Sequence, residues 1–110
     1  MLNYDRSKVE IGILHFGLGG FHRAHQAVFF DQAIENGYSG LGIASISQRD
    51  PSLADEMKTA DSIYEIEASD GTKTEKRSIG SIKESLFYGR DEERILEIAK
   101  SPKLKAITLT

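Results

Sequence analysis

Leu14-His15-Phe16-Gly17-Leu18-Gly19-Gly20-Phe21-His22-Arg23-Ala24-His25-Gln26-Ala27 lies between an apolar run, Val9 to Phe16, and a stretch with helical spacing that begins near Phe21. A tight glycine turn between a strand and a helix leaves backbone N–H groups pointing outward at the helix start. Those donors and the helix dipole attract a phosphate. Gly17-x-Gly19 has the spacing of the first two glycines of a dinucleotide fingerprint, while His22 occupies the position of the third. Gly17 permits a positive φ, Gly19 lets the backbone approach a pyrophosphate, and Gly20 adds a further small residue. The glycines alone leave open a plain βα turn that binds nothing.

Outward from the turn, the order of elements follows from periodicity and punctuation. Val9 to Phe16 is apolar enough for a strand buried on both faces. A helix is predicted from about Phe21 to Asn36, with Ala24, Ala27, Val28, Phe30, Ala33 and Ile34 near helical spacing and Gly37 as its stop. Leu41 to Ile46 is a second strand, which completes a β-α-β unit. Asp50-Pro51-Ser52 opens a short helix to about Lys58. Ile63 to Ala68 alternates with period two, Asp70-Gly71 signals a turn, and Thr72 to Ile82 is expected to return as the second strand of a hairpin. Asp91 is the expected cap of a helix over Glu92 to Lys100, with acids leading and Lys100 closing in accord with the macrodipole. Ser101-Pro102 breaks it, and Leu104 to Leu109 is a last strand. The fold class is therefore α/β, a Rossmann-like doubly wound parallel sheet, partial in extent, with a β-hairpin insertion. The closing apolar strand has no helix after it, whereas such sheets continue through further crossovers, so the chain reads as part of a longer protein.

Composition bounds the function. The 110 residues suffice for one core; 39% are hydrophobic and 28% charged, as in ordinary globular domains. A net charge of -3 argues against nucleic-acid or polybasic membrane partners. The absence of cysteine removes disulfides, zinc-thiolate sites and thiol nucleophiles. No apolar run approaches the ~20 residues that span a bilayer, and Met1 to Arg6 has no signal-peptide character. A cytoplasmic location is the expectation.

The residues after the glycines add polar groups to the first turns of the helix. Phe21 is expected to bury and form a dry wall, and Arg23 is either a phosphate partner or a solvated surface residue. His22 and His25 stand three apart and could join His15 as metal ligands. No carboxylate is near in sequence, and the helical zinc signature uses i, i+4 spacing. Local hydrogen bonding is the reading preferred for them, with no metal.

The run His15 to Ala27 resembles the N-terminal signature of the mannitol dehydrogenase family, long-chain polyol and sugar-acid dehydrogenases. Asp61-Ser62-Ile63-Tyr64-Glu65-Ile66 resembles the family's lead into a hairpin, and Ile107-Thr108-Leu109-Thr110 its strand toward a Thr-rich, nicotinamide-side loop. The resemblance implies that residues 1–110 are the N-terminal part of a dinucleotide-binding Rossmann domain. It also implies a helical substrate domain outside this sequence, carrying a catalytic lysine. No lysine here matches that context, so no catalytic residue is assigned. By position, Gly17, Gly19, Gly20, Phe21, His22 and Arg23 would line the pyrophosphate turn. The second strand runs into Ser47-Gln48-Arg49-Asp50, where the family has a similar Arg-then-acid arrangement. Asp50 is the candidate ligand of the adenosine ribose, as an acid accepts from both hydroxyls; Arg49 leaves NADP open beside NAD. Asp50 before Pro51 is equally a good helix N-cap. Two functions follow: the cofactor-binding portion of an oxidoreductase acting on a small-molecule polyol or sugar acid, or a non-catalytic nucleotide-binding α/β module.

Overall fold

A computed structural model of the chain describes residues 2–69 and 71–110. Its elements in chain order are β1 (Ile11–Phe16), α1 (Gly20–Ala24), α2 (Gln26–Glu35), β2 (Gly42–Ser47), α3 (Pro51–Thr59), β3 (Tyr64–Ser69), β4 (Thr74–Ile79), β5 (Ile82–Phe87), α4 (Glu92–Ala99) and β6 (Ala106–Leu109). Four strands form one parallel sheet in the order β5-β2-β1-β6, and β3 pairs antiparallel with β4 as a separate hairpin. This is the doubly wound sheet with a hairpin insertion that the sequence implies.

Alternation along the buried strands divides the core between the two faces of the sheet. Ile13, Ile43 and Ile82 pack with Ala27 of α2 and with Ala54 and Met57 of α3. Leu14, Ala44, Ile46 and Leu86 face the other way, against Ile95 and Ile98 of α4. Ile43, Ile46 and Ile82 are fully buried; each such side chain stabilises the fold by about 1.5–3 kcal/mol. The chain winds outward from β1 through β2 to β5, then returns through α4 to pair β6 with β1. The reversal makes a crevice at the C-terminal ends of β1 and β6, where open α/β sheets take their ligands. Within this chain β6 is an edge strand, with Ile107 57% and Leu109 78% exposed.

Three local expectations are corrected. The single helix over Phe21 to Asn36 is two helices, because His25 leaves the helical region at φ -124°, ψ -77°. Its ring Nδ1–H donates to the Phe21 carbonyl at 2.9 Å, a local bond that competes with the helical ladder. The single strand over Thr72 to Ile82 is likewise divided. Residues 74–79 belong to the hairpin, whereas Ile82–Phe87 crosses into the main sheet. The corner between them is held by sequence-remote groups. Gly80 N donates to Asp31, Ser81 Oγ to the Ala27 carbonyl, and Arg6 to the carbonyls of Gly80 and Ile82. Finally, Asp91 stands at the N-cap of α4 but makes no capping bond there; its carboxylate accepts from Phe87 N at 2.8 Å. Of the expected Asp70-Gly71 turn, Asp70 lies outside the described residues; Gly71 has φ +92°.

Candidate functional site

The turn after β1 is anchored at one end and open at the other. Gly17 N donates to the Ile46 carbonyl at 2.8 Å, and Leu18 is 2% exposed. Gly17 has φ +129°, and a Cβ there would lie 2.6 Å from Thr110 Oγ1. Gly19 is different: its backbone is extended at φ -77°, ψ 178°, it caps α1, and its carbonyl accepts from Arg23 N. A Cβ on Gly19 or Gly20 would meet nothing within 4 Å. Among the described residues nothing packs where those side chains would begin, so the main chain there is open to close approach.

Beneath the turn lies a polar cluster built from β1, α1, α2, β2 and β6. The rings of His15 (β1) and His22 (α1) stack with centroids 3.9 Å apart and planes 11° from parallel. His15 Nδ1 is 2.6 Å from Thr108 Oγ1, and its Nε2 is 3.3 Å from Thr110 Oγ1. Gln26 Nε2 donates to Thr108 Oγ1 at 3.4 Å, and His22 Nε2 lies 2.8 Å from Ser45 Oγ. His22 Nδ1, Arg23 Nε and Gln26 Oε1 are buried without a hydrogen-bond partner. Burial lowers the basicity of both imidazoles. His22 falls to about 4, with the neighbouring His15 adding to the effect of burial and Gln26 opposing it.

This has a pH consequence of definite sign. Unfolded histidine takes up its proton near pH 6.5, whereas His22 in the fold resists until about 4. Between those values the unfolded chain binds more protons, so stability falls as pH drops through the window and levels off below it. The shift corresponds to a loss on the order of 3 kcal/mol for His22. Urea melts from pH 7 to pH 4 are expected to lose stability by about that amount beyond the loss in His22→Gln. Equal pH slopes in the two proteins would contradict it.

The other expected site residues are distributed as follows. Arg23 is half-buried and its carbonyl accepts from Tyr64 Oη of β3 at 2.5 Å, which ties the hairpin to the end of α1. Phe21 does not bury. It is 68% exposed, its ring stacked on His25 at 4.3 Å, because the inward face of α1 is taken by His22. Arg49 is exposed, at the C-terminal end of β2 and so at the same end of the sheet as the turn. Asp50 caps α3, its carboxylate accepting from Ser52 N at 2.9 Å, and this bond holds its pKa below the usual range. Ser47 Oγ donates to the Asp50 carbonyl, bracing the same corner. Sequence reasoning missed Ser45, Thr108 and Thr110 as neighbours of the histidines. The available signal was polar residues alternating within apolar strands, with His15 opposite both Ser45 and Thr108 in register. Gln26 and Tyr64 carried no such signal.

A parallel sheet with reversed winding, a glycine turn at the switch point and an acid capping the helix after the second strand define a Rossmann-type dinucleotide-binding domain. A family model described as the mannitol dehydrogenase Rossmann domain matches residues 11–110, and the chain belongs to that family. Mannitol 2-dehydrogenase of Pyricularia oryzae is 31% identical over 98% of this chain and 22% of its own length. D-mannonate oxidoreductase of Escherichia coli is 33% identical over 98% of this chain and 23% of its own length. The structure of Pseudomonas fluorescens mannitol 2-dehydrogenase in ternary complex with NAD and D-mannitol superposes with a TM-score of 0.86 at 31% identity. It covers 99% of this chain and 23% of that one. The chain thus spans somewhat under a quarter of the length of these relatives.

Proposed function

We propose that this chain binds NAD as the N-terminal part of the cofactor domain of an oxidoreductase. That enzyme would transfer hydride between the nicotinamide and a polyol or sugar acid. The substrate domain and catalytic base would lie outside residues 1–110, in keeping with the share of the relatives that the chain spans. The observation that carries the reading is the open backbone at Gly19 and Gly20, where glycine has no partner inside the protein. The nicotinamide supplies the hydride chemistry; the residues here bind and orient. Gly17 turns the chain, and Gly19 and Gly20 admit the pyrophosphate to the start of α1. The buried, unpartnered Nε of Arg23 is the donor suited to a phosphate oxygen. His22 supports the turn from beneath, and exposed Phe21 walls its outer side. Asp50 accepts from the ribose hydroxyls while capping α3, and Arg49 beside it would favour a 2′-phosphate.

Titration of the chain with NADH and with NADPH tests this, and saturable NADH binding is expected. Failure of a folded sample to saturate with either would overturn the reading. Gly19→Val should fold normally, since a Cβ there meets nothing within 4 Å, yet bind NADH at least roughly tenfold more weakly by blocking the pyrophosphate. Unchanged affinity would make the turn purely structural.

A further inference from the structure

The cluster beneath the turn has an internal direction. An amide nitrogen only donates, so in the Gln26–Thr108 contact the threonine oxygen accepts. The Thr108 hydroxyl has two side-chain partners, Gln26 and His15; its oxygen has lone pairs for both, and of the two only His15 Nδ1, the closer at 2.6 Å, can take its proton. A ring nitrogen that accepts is unprotonated, and a neutral imidazole then carries its proton on the other nitrogen. With the Thr108 proton directed to Nδ1, His15 Nε2–H is the donor to Thr110 Oγ1, 3.3 Å away. With its lone pair engaged from below, the exposed Thr110 hydroxyl has its proton left for the crevice side. It sits against Gly17: its oxygen is 2.6 Å from the Cβ position there, and Thr110 N donates to the Phe16 carbonyl.

We infer that His15 is a positioning residue, held as the Nε2–H tautomer by Gln26 and Thr108, which turns the Thr110 hydroxyl outward as a donor to a phosphate oxygen of the bound dinucleotide. The inference rests on the nucleotide reading above. Burial keeps His15 neutral, and the stacked His22 ring covers one face. The charged groups near the cluster are few. Arg23 on α1 opposes a second positive charge at His22, and among the described residues no carboxylate acts on either ring. Protonated His15 would have two donors and no acceptor, so the Thr108 bond would have to reverse its direction.

Two measurements on the full chain decide it. Long-range ¹H–¹⁵N correlation spectra at pH 7, without ligand, are expected to show His15 as the Nε2–H tautomer; the Nδ1–H tautomer or an imidazolium overturns the inference. NADH titrations then compare variants with the wild type. Thr110→Val and His15→Asn should each bind roughly tenfold more weakly, the loss of one hydrogen bond to a charged oxygen. Thr110→Ser should recover most of the loss, as should His15→Gln, whose amide reaches the Nε2 position. Thr110 is exposed, so its valine variant folds even if His15→Asn does not. A wild-type chain that fails to saturate removes the nucleotide reading itself. Wild-type binding matched by Thr110→Val removes only the role assigned to His15 and Thr110.

Discussion

Gly17→Val is expected to destabilise the fold severely, lowering the melting temperature by roughly 10 °C or more and abolishing nucleotide binding with it. The cause is conformational as well as steric. Gly17 has φ +129°, a region in which side chains cost roughly 1–3 kcal/mol or more, and a β-branched residue is among the worst fitted to it. The new Cβ would lie 2.6 Å from Thr110 Oγ1 and 3.4 Å from His15 Nε2. Relief would have to come from moving β6 or breaking the Gly17–Ile46 bond that docks the turn onto β2. Each kcal/mol in a domain of about this size moves the melting temperature by roughly 4–8 °C. Thermal melts followed by circular dichroism check the result. The contrast with Gly19→Val is the sharper test: two glycines two residues apart should fail differently, one in folding and the other in binding. A Gly17→Val protein that melts like the wild type would show that the turn has another conformation within easy reach.

Asp31→Ala should lose about 3–5 kcal/mol of stability, the cost of removing one partner from a buried charged network. Asp31 on α2 is 1% exposed. Its carboxylate accepts from Tyr4 Oη at 2.5 Å, Gly80 N at 2.9 Å and Arg77 Nη2 at 2.8 Å. The N-terminal segment, the hairpin and the corner before β5 therefore meet on a single side chain. Burial and the adjacent carboxylate push the Tyr4 phenol well above its ordinary pKa, and Arg77 is raised by Asp31 and Glu35 against the opposing effect of burial. Alanine would leave a phenol and an amide without their acceptor and the Arg77 guanidinium with Glu35 alone. Against the roughly 5–15 kcal/mol by which such domains are stable, that loss is a large share of the total. Urea denaturation gives the value directly. A loss under about 1 kcal/mol would mean that water replaces the carboxylate, which the burial of Asp31 excludes.

These two residues mark the boundary between what could be read in the chain and what could not. Gly17 was legible because its signal is local: a glycine directly after an apolar run and two before another glycine. The main parallel strands were legible for the same reason. Ile11–Phe16 and Gly42–Ser47 are buried on both faces and spell that burial in consecutive apolar residues. The role of Asp31 had no local signal, since Tyr4, Arg77 and Gly80 are far from it in sequence.

β5 shows the same limit in an element. Ile82-Lys83-Glu84-Ser85-Leu86-Phe87 is too polar to announce a strand of the parallel sheet. It becomes one because Ser85 finds Ser62, Arg94 pairs with Glu84, and Lys83 reaches the Arg6 carbonyl. The break at His25 and the exposure of Phe21 likewise depend on which ring α1 turns inward.

By itself, then, the sequence determined the glycine turn, the β-α-β winding around it and, through Phe21 to Ala27, the family resemblance. All of these are written in contiguous residues whose period and backbone freedom act over a few ångströms. Only the tertiary structure decided that His15 and His22 stack beneath the turn, that Thr108 and Thr110 stand beside them, and that the hairpin braces α1 through Tyr64. Those contacts join groups up to 95 residues apart in the chain, and their energies exist only once the sheet has brought β1, β2 and β6 side by side.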